Sequence, residues 1–82
     1  MIEVNVRLFA ITRDLAGASS VTLAVPHGAT ISLLLDELGR RFPPLLAWKA
    51  YLRVAVNCRY VPGDQVVSAG DDIAIIPPVS GG

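Results

Sequence analysis

Cysteine is almost missing from this 82-residue chain: Cys58 stands alone, so no internal disulfide can form. A small domain that does without disulfides suits a reducing compartment, and a cytoplasmic location is expected. Histidine is as scarce. His27 is the single one, set in the turn Pro26-His27-Gly28 with no acid or nucleophile near it in sequence, so it reads as a solvated turn residue. Neither sign of charge prevails. Seven Lys and Arg offset seven Asp and Glu, and they are scattered, whereas a nucleic-acid binder carries a basic stripe. No apolar run approaches the roughly 20 residues that span a bilayer. Charges interrupt Met1-Ile-Glu-Val-Asn-Val-Arg-Leu8, which does not fit a signal peptide. Nucleic acid and membrane are therefore not expected partners.

Catalytic and ligand motifs are missing too. Val61-Pro-Gly-Asp64 and Ala69-Gly-Asp71 have neither the glycine spacing nor the lysine of a phosphate loop. Asp71-Asp72 lacks further oxygen ligands and reads as turn chemistry, so no metal site is expected. Asp36 and Glu37 read as helix-surface charges. Cys58 has no resolving partner, and its neighbour Arg59 helps a thiolate only slightly, so it makes a poor sulfur relay.

What is present is periodicity. Hydrophobic residues make up 52% of the chain, enough for one domain with a single core and some apolar surface left over. Ile2, Val4, Val6 and Leu8 alternate with Glu3, Asn5, Arg7 and Phe9, which predicts a half-buried strand. Residues 11–17 break that alternation and read as a loop with about one helical turn. Val21–Val25 is a second strand, ended by Pro26-His27-Gly28, and is expected to pair with the first as a hairpin. Thr30 is a helix N-cap. Behind it Ile31, Leu34, Leu35, Leu38 and Phe42 recur at helical spacing, Arg40 and Arg41 suit the last turn, and Pro43-Pro44 stops the helix. Residues 45–51 fit either a short helix or an irregular connection.

Leu52–Val56 is a third strand with Leu52, Val54 and Val56 inward. Residues 57–60 read as a turn, followed by Val61 and an extended piece at Val66-Val67, then a second turn at 69–72. The final strand runs from Asp72 to Pro77, and its apolar density puts it in the middle of a sheet. The order is ββαβ(β)β. The expected fold is α+β, a mixed sheet of four to five strands packed against one main helix, and the order fits a ubiquitin-like β-grasp with first and last strands adjacent.

The end of the chain is the most informative segment: Ile73-Ala-Ile-Ile-Pro-Pro-Val-Ser-Gly-Gly82. Pro77 and Pro78 lack N–H donors and fix φ, so they end the sheet and launch the last four residues in an extended direction. Val79, Ser80, Gly81 and Gly82 add little side-chain bulk. From Pro77 to Gly82 the reach is at most about 20 Å. The expected layout is a domain over 1–76 and an extended tail over 77–82, shaped to thread a channel and to offer the carboxylate of Gly82 as the reactive group. Phe9 and Tyr60, with one of the adjacent Ile75 and Ile76, are expected off the core, as the aromatic and aliphatic centre of an interface near the tail's exit. The chain reads as a presented partner rather than as an enzyme.

Leu8-Phe-Ala-Ile-Thr-Arg-Asp-Leu-Ala-Gly17, Ala55-Val-Asn57 and above all Gly70–Gly82 resemble the small subunits of molybdopterin synthase, a family of ubiquitin-like sulfur carriers. The family usually has aromatics before its proline pair, where this chain has Ile75-Ile76. The resemblance implies that an ATP-dependent adenylating enzyme forms a transient AMP adduct on Gly82. Sulfur then replaces AMP to give a thiocarboxylate, with no permanently bound cofactor. It further implies that the charged tail enters the large subunit, in a heterotetramer of two small and two large subunits, and gives its sulfur to cyclic pyranopterin monophosphate. Phe9, Arg13, Tyr60 and Ile76 become docking contacts. The alternatives are a carrier for thiazole synthesis, a protein modifier conjugated through Gly82, and a plain β-grasp interaction module with an inert tail.

Overall fold

The computed structural model describes residues 1–78. The alternating N-terminal run forms β1 (Ile2–Leu8), with Val4, Val6 and Leu8 buried and Glu3, Asn5 and Arg7 turned outward. Then come α1 (Ala10–Ala16), β2 (Ser20–Val25), α2 (Ile31–Arg41), a 3-10 segment (Pro43–Tyr51), β3 (Arg53–Val56), β4 (Arg59–Val61) and β5 (Asp72–Ile76). The sheet order is β2-β1-β5-β3-β4. β1 and β5 pair in parallel at the centre, and the other neighbours are antiparallel. A parallel pair needs a long crossover, and here everything between β1 and β5 supplies it. This is the expected β-grasp, with five strands in its sheet.

One face of the sheet makes the core. Val4, Val6, Leu8, Leu23, Val25, Val54, Ile73 and Ile75 point toward Ile31, Leu34 and Leu38 of α2 and Leu45 of the 3-10 segment. Fully burying each of the larger side chains stabilises the fold by about 1.5–3 kcal/mol. The α2 stripe is as its spacing dictates, with Leu35 and Phe42 at its half-buried margin. The Thr30 hydroxyl accepts from the Leu33 amide at 3.3 Å, as an N-cap should. At the other end Arg41 Nη1 donates to the Thr22 carbonyl at 3.0 Å, tying the helix to edge strand β2.

The structure departs from the sequence pattern in three places. Residues 10–16 form a helix, α1, where a loop with about one helical turn was expected over 11–17, and β1 ends at Leu8 with Phe9 as the residue before the helix. Its start is held by Thr12, whose fully buried hydroxyl accepts from the Phe9 amide at 3.0 Å and donates to the Phe9 carbonyl at 2.6 Å. β1 and β2 pair antiparallel as expected, with α1 between them. The turn expected over 57–60 is shorter: Asn57 and Cys58 alone have positive φ (51° and 71°), the geometry of a two-residue hairpin, and Arg59 and Tyr60 already belong to β4. Val66 makes only an isolated bridge to Thr30, while Val67 is buried. Residues 43–51 resolve the open choice as 3-10 helix, started by the proline pair.

Candidate functional site

Among the described residues no helix lies over the second face of the sheet. Side-chain alternation puts Arg7, Ala74, Ala55 and Tyr60 there, and the pairing sets them in one row across four strands: Arg7 beside Ala74, Ala74 beside Ala55, Ala55 beside Tyr60. Ile76 belongs to the same face and pairs with Arg53. Phe9 comes after Arg7 on this side. The backbone at Phe9 is still extended (φ −128°, ψ 150°), so strand alternation continues through it. In the parallel β1–β5 ladder Leu8 faces Ile75, and Phe9 and Ile76 stand one step further on.

Ile75 and Ile76 thus divide as adjacent strand residues must: Ile75 is fully buried and Ile76 is half-buried on the open face. Phe9 is 40% exposed and Tyr60 64% exposed. Each aromatic has an arginine beside it. The guanidinium carbon of Arg7 lies 5.8 Å from the Phe9 ring centre, and that of Arg53 lies 5.2 Å from the Tyr60 ring centre. Both distances are within cation–π range. Arg7 Nη2 also donates to Asp72 Oδ2 at 2.8 Å. Exposed as that pair is, it orients Arg7 more than it stabilises the fold. The result is a shallow surface with an alanine floor, aliphatic Ile76 near its centre, and an Arg–aromatic pair on either side.

Three of the four expected docking residues, Phe9, Tyr60 and Ile76, therefore share a face. Arg13 does not belong to the sheet: it is exposed on α1, with Asp14 Oδ1 3.9 Å from its Nε. Arg7, Arg53, Ala55 and Ala74 were missed, although the period-two rule that exposed Phe9 applies to each of them. Pro77 is half-buried and Pro78 exposed at the end of β5, beside this face. Val79, Ser80, Gly81 and Gly82, expected as tail and reactive end, lie outside the described residues.

Elsewhere the chemistry is sparse. His27 is exposed in its turn. Asp71 serves the turn before β5, where its Oδ2 accepts from the Ser68 amide at 2.8 Å and Asn57 Nδ2 donates to its Oδ1 at 3.1 Å, while Asp72 opens β5 and pairs with Arg7 instead. Cys58 is exposed at the tip of the β3–β4 hairpin. Among the described residues no three or more His, Cys, Asp or Glu side chains gather as a metal cluster. No helix among them is long and apolar enough to cross a membrane.

A β-grasp domain with an uncovered sheet face, and with its central strand running out through prolines beside that face, has the form of a ubiquitin-like carrier. Comparison with known proteins narrows the class. Residues 6–82 match the model of the ThiS family, and the chain belongs to that family. It is 41% identical to the molybdopterin synthase sulfur carrier subunit of Arabidopsis thaliana, over 99% of this chain and 84% of that protein. To the human protein of the same name it is 39% identical, over 98% of this chain and 94% of the relative. Among solved structures, small archaeal modifier protein 1 of Haloferax volcanii superposes with a TM-score of 0.86 at 26% identity, covering 96% of this chain and 100% of that one. A chain in the BexX/CysO complex of Amycolatopsis orientalis gives 0.75 at 27% identity, covering 96% and 99%.

Proposed function

We propose that this protein is the sulfur carrier subunit of a molybdopterin synthase, working in the cytoplasm, with Gly82 as the group that is charged and discharged. The family match through residue 82, with relatives at about two-fifths identity that bear that name, is the observation that carries the reading. The geometry agrees with it. Adenylation and sulfur transfer need a catalytic constellation, and the open face of this domain is built for contact rather than for catalysis.

The chemistry stems from the poor reactivity of a carboxylate, which is ionised at neutral pH. A Gly82 carboxylate oxygen attacks the α-phosphorus of ATP in an adenylating partner, releasing pyrophosphate and leaving an acyl-adenylate. A persulfide attacks the carbonyl carbon and AMP departs. A second thiol then cleaves the sulfur–sulfur bond, leaving the thiocarboxylate on Gly82 and a disulfide on the donor side. A sulfur anion is the stronger nucleophile, so the carrier delivers what a carboxylate cannot. The acceptor is cyclic pyranopterin monophosphate, held by the large subunit, and two small subunits serve two large ones. Glycine at the end lets the carbonyl be approached from either side. Phe9, Ile76 and Tyr60 on the open face, with Arg7 and Arg53 beside them, make the docking contacts, and Arg13 adds one from α1.

Intact-mass spectrometry of the chain isolated from its own cells tests this. The expected species is heavier by the difference between one sulfur and one oxygen atom, and it co-purifies with a larger subunit. A second reading, a protein modifier, draws on the likeness to small archaeal modifier protein 1. Isopeptide-linked conjugates through Gly82, with the heavier species missing, would favour that reading instead.

A further inference from the structure

Three separated segments meet where β5 ends. Pro77 and Pro78 border an apolar depression of about 290 Å³ whose other walls are Ala10 and Ile11 of α1 and Trp48 of the 3-10 segment. Trp48 is the one tryptophan of the chain, and it is half-buried. We propose that Trp48 is a positioning residue: its indole, with Ile11, walls the root of the tail and holds Pro77-Pro78 to one direction of departure. A docked carrier then presents its tail already aimed at the partner's channel. The inference rests on the carrier reading above.

Donation into the ladder cannot do this task. The ladder holds β5 as far as Ile76, and neither proline has an N–H to extend it. A proline ring fixes φ, and the ring of Pro78 confines ψ of Pro77 to the extended region, but ψ of Pro78 is left to its surroundings, so the heading of the chain past the second ring depends on packing. The surroundings at that point are Ala10, Ile11 and Trp48.

Two local features place these residues there. Ala10 has a left-handed backbone (φ 51°), which a non-glycine residue adopts at a cost of about 1 kcal/mol or more. The hydrogen bonds between Thr12 and Phe9 hold that bend, which turns the chain from β1 straight into α1 beside the tail root. The 3-10 segment runs for nine residues, well beyond the usual length of its kind. In such a helix residues three apart share a side, so buried Leu45 anchors the segment in the core while Trp48 is the next rung on that side. Trp48 is thus set by the core and not by its own contacts with solvent.

The test has a functional and a physical readout. With the full chain as substrate of an ATP-dependent adenylating enzyme, ATP–pyrophosphate exchange is measured for the native protein, Trp48→Ala, Trp48→Phe and Phe9→Ala. Losing the wall returns freedom to Pro77 and Pro78 but leaves the docking face alone. Trp48→Ala is expected to lower kcat about fivefold at unchanged KM, a loss typical of releasing ordered groups. Trp48→Phe recovers most of it, while Phe9→Ala raises KM. In the free protein, NMR is expected to show Pro77 and Pro78 ring protons shifted upfield by the indole, and the shift to vanish in Trp48→Leu. Trp48→Leu also replaces Trp48→Ala if the latter fails to fold. Unchanged kcat without the indole, a rise in KM alone, or proline protons with no ring-current shift would each overturn the proposal. If the native chain supports no exchange at all, the carrier reading falls, and the ring-current shifts decide the wall by themselves.

Discussion

The Thr12 side chain is joined twice to the backbone of Phe9: its buried hydroxyl donates to the Phe9 carbonyl at 2.6 Å and accepts from the Phe9 amide at 3.0 Å. One side chain thereby satisfies both backbone groups of a residue whose ring belongs to the open face. Thr12→Val keeps the shape and removes the hydroxyl, leaving the Phe9 amide unpaired, while the Phe9 carbonyl keeps its bond from the Thr12 backbone amide at 3.1 Å. The expected loss is about 1–2 kcal/mol, read as a fall in Tm of about 4–8 °C per kcal/mol for a domain of this size. Weaker docking should accompany it, because Phe9 is no longer held. A Tm within a degree of the native value would show that the bend is set by other contacts.

The open face separates binding from folding. Phe9→Ala and Tyr60→Ala remove partly exposed rings, so their melts should shift little. Docking to the larger partner subunit should weaken about tenfold or more for at least one of them, as central aromatic contacts do. Isothermal titration beside a thermal melt gives the ranking. A large Tm loss with unchanged affinity would assign that ring to the fold.

Gly81→Val places a branched side chain next to the reactive end, where a narrow channel must admit it. Sulfur loading or transfer should be abolished while the melt stays native. Normal synthase activity from this variant would refute the threading of the tail.

Cys58 occupies a backbone position that suits glycine, with φ 71° at the second residue of its hairpin turn. Cys58→Gly should raise stability by about 0.5–1 kcal/mol, because glycine adopts that conformation without strain. Activity should be untouched. Loss of sulfur transfer with a native melt would instead make Cys58 a relay in the chemistry.

Periodicity by itself determined the strands β1, β2, β3 and β5, the α2 stripe with its Thr30 cap, and the inward set Val4, Val6, Leu8, Leu34, Leu38 and Val54. Those choices are local: a period of two or of 3.6 assigns a face before anything is packed. The same rule put Phe9 outside, and the composition left little room for a catalytic group. Tertiary structure decided what no local signal carries. α1 depends on a hydroxyl three residues along and on an alanine in a left-handed bend, neither of which announces a helix. Arg7, Ala74, Ala55 and Tyr60 become a row only once strands distant in sequence are paired in register. Trp48 meets Pro77 and Pro78 only because the 3-10 segment and α1 close on the end of β5. Local pattern sets which way a side chain points; long-range pairing, driven by burial of one shared core, sets which side chains become neighbours.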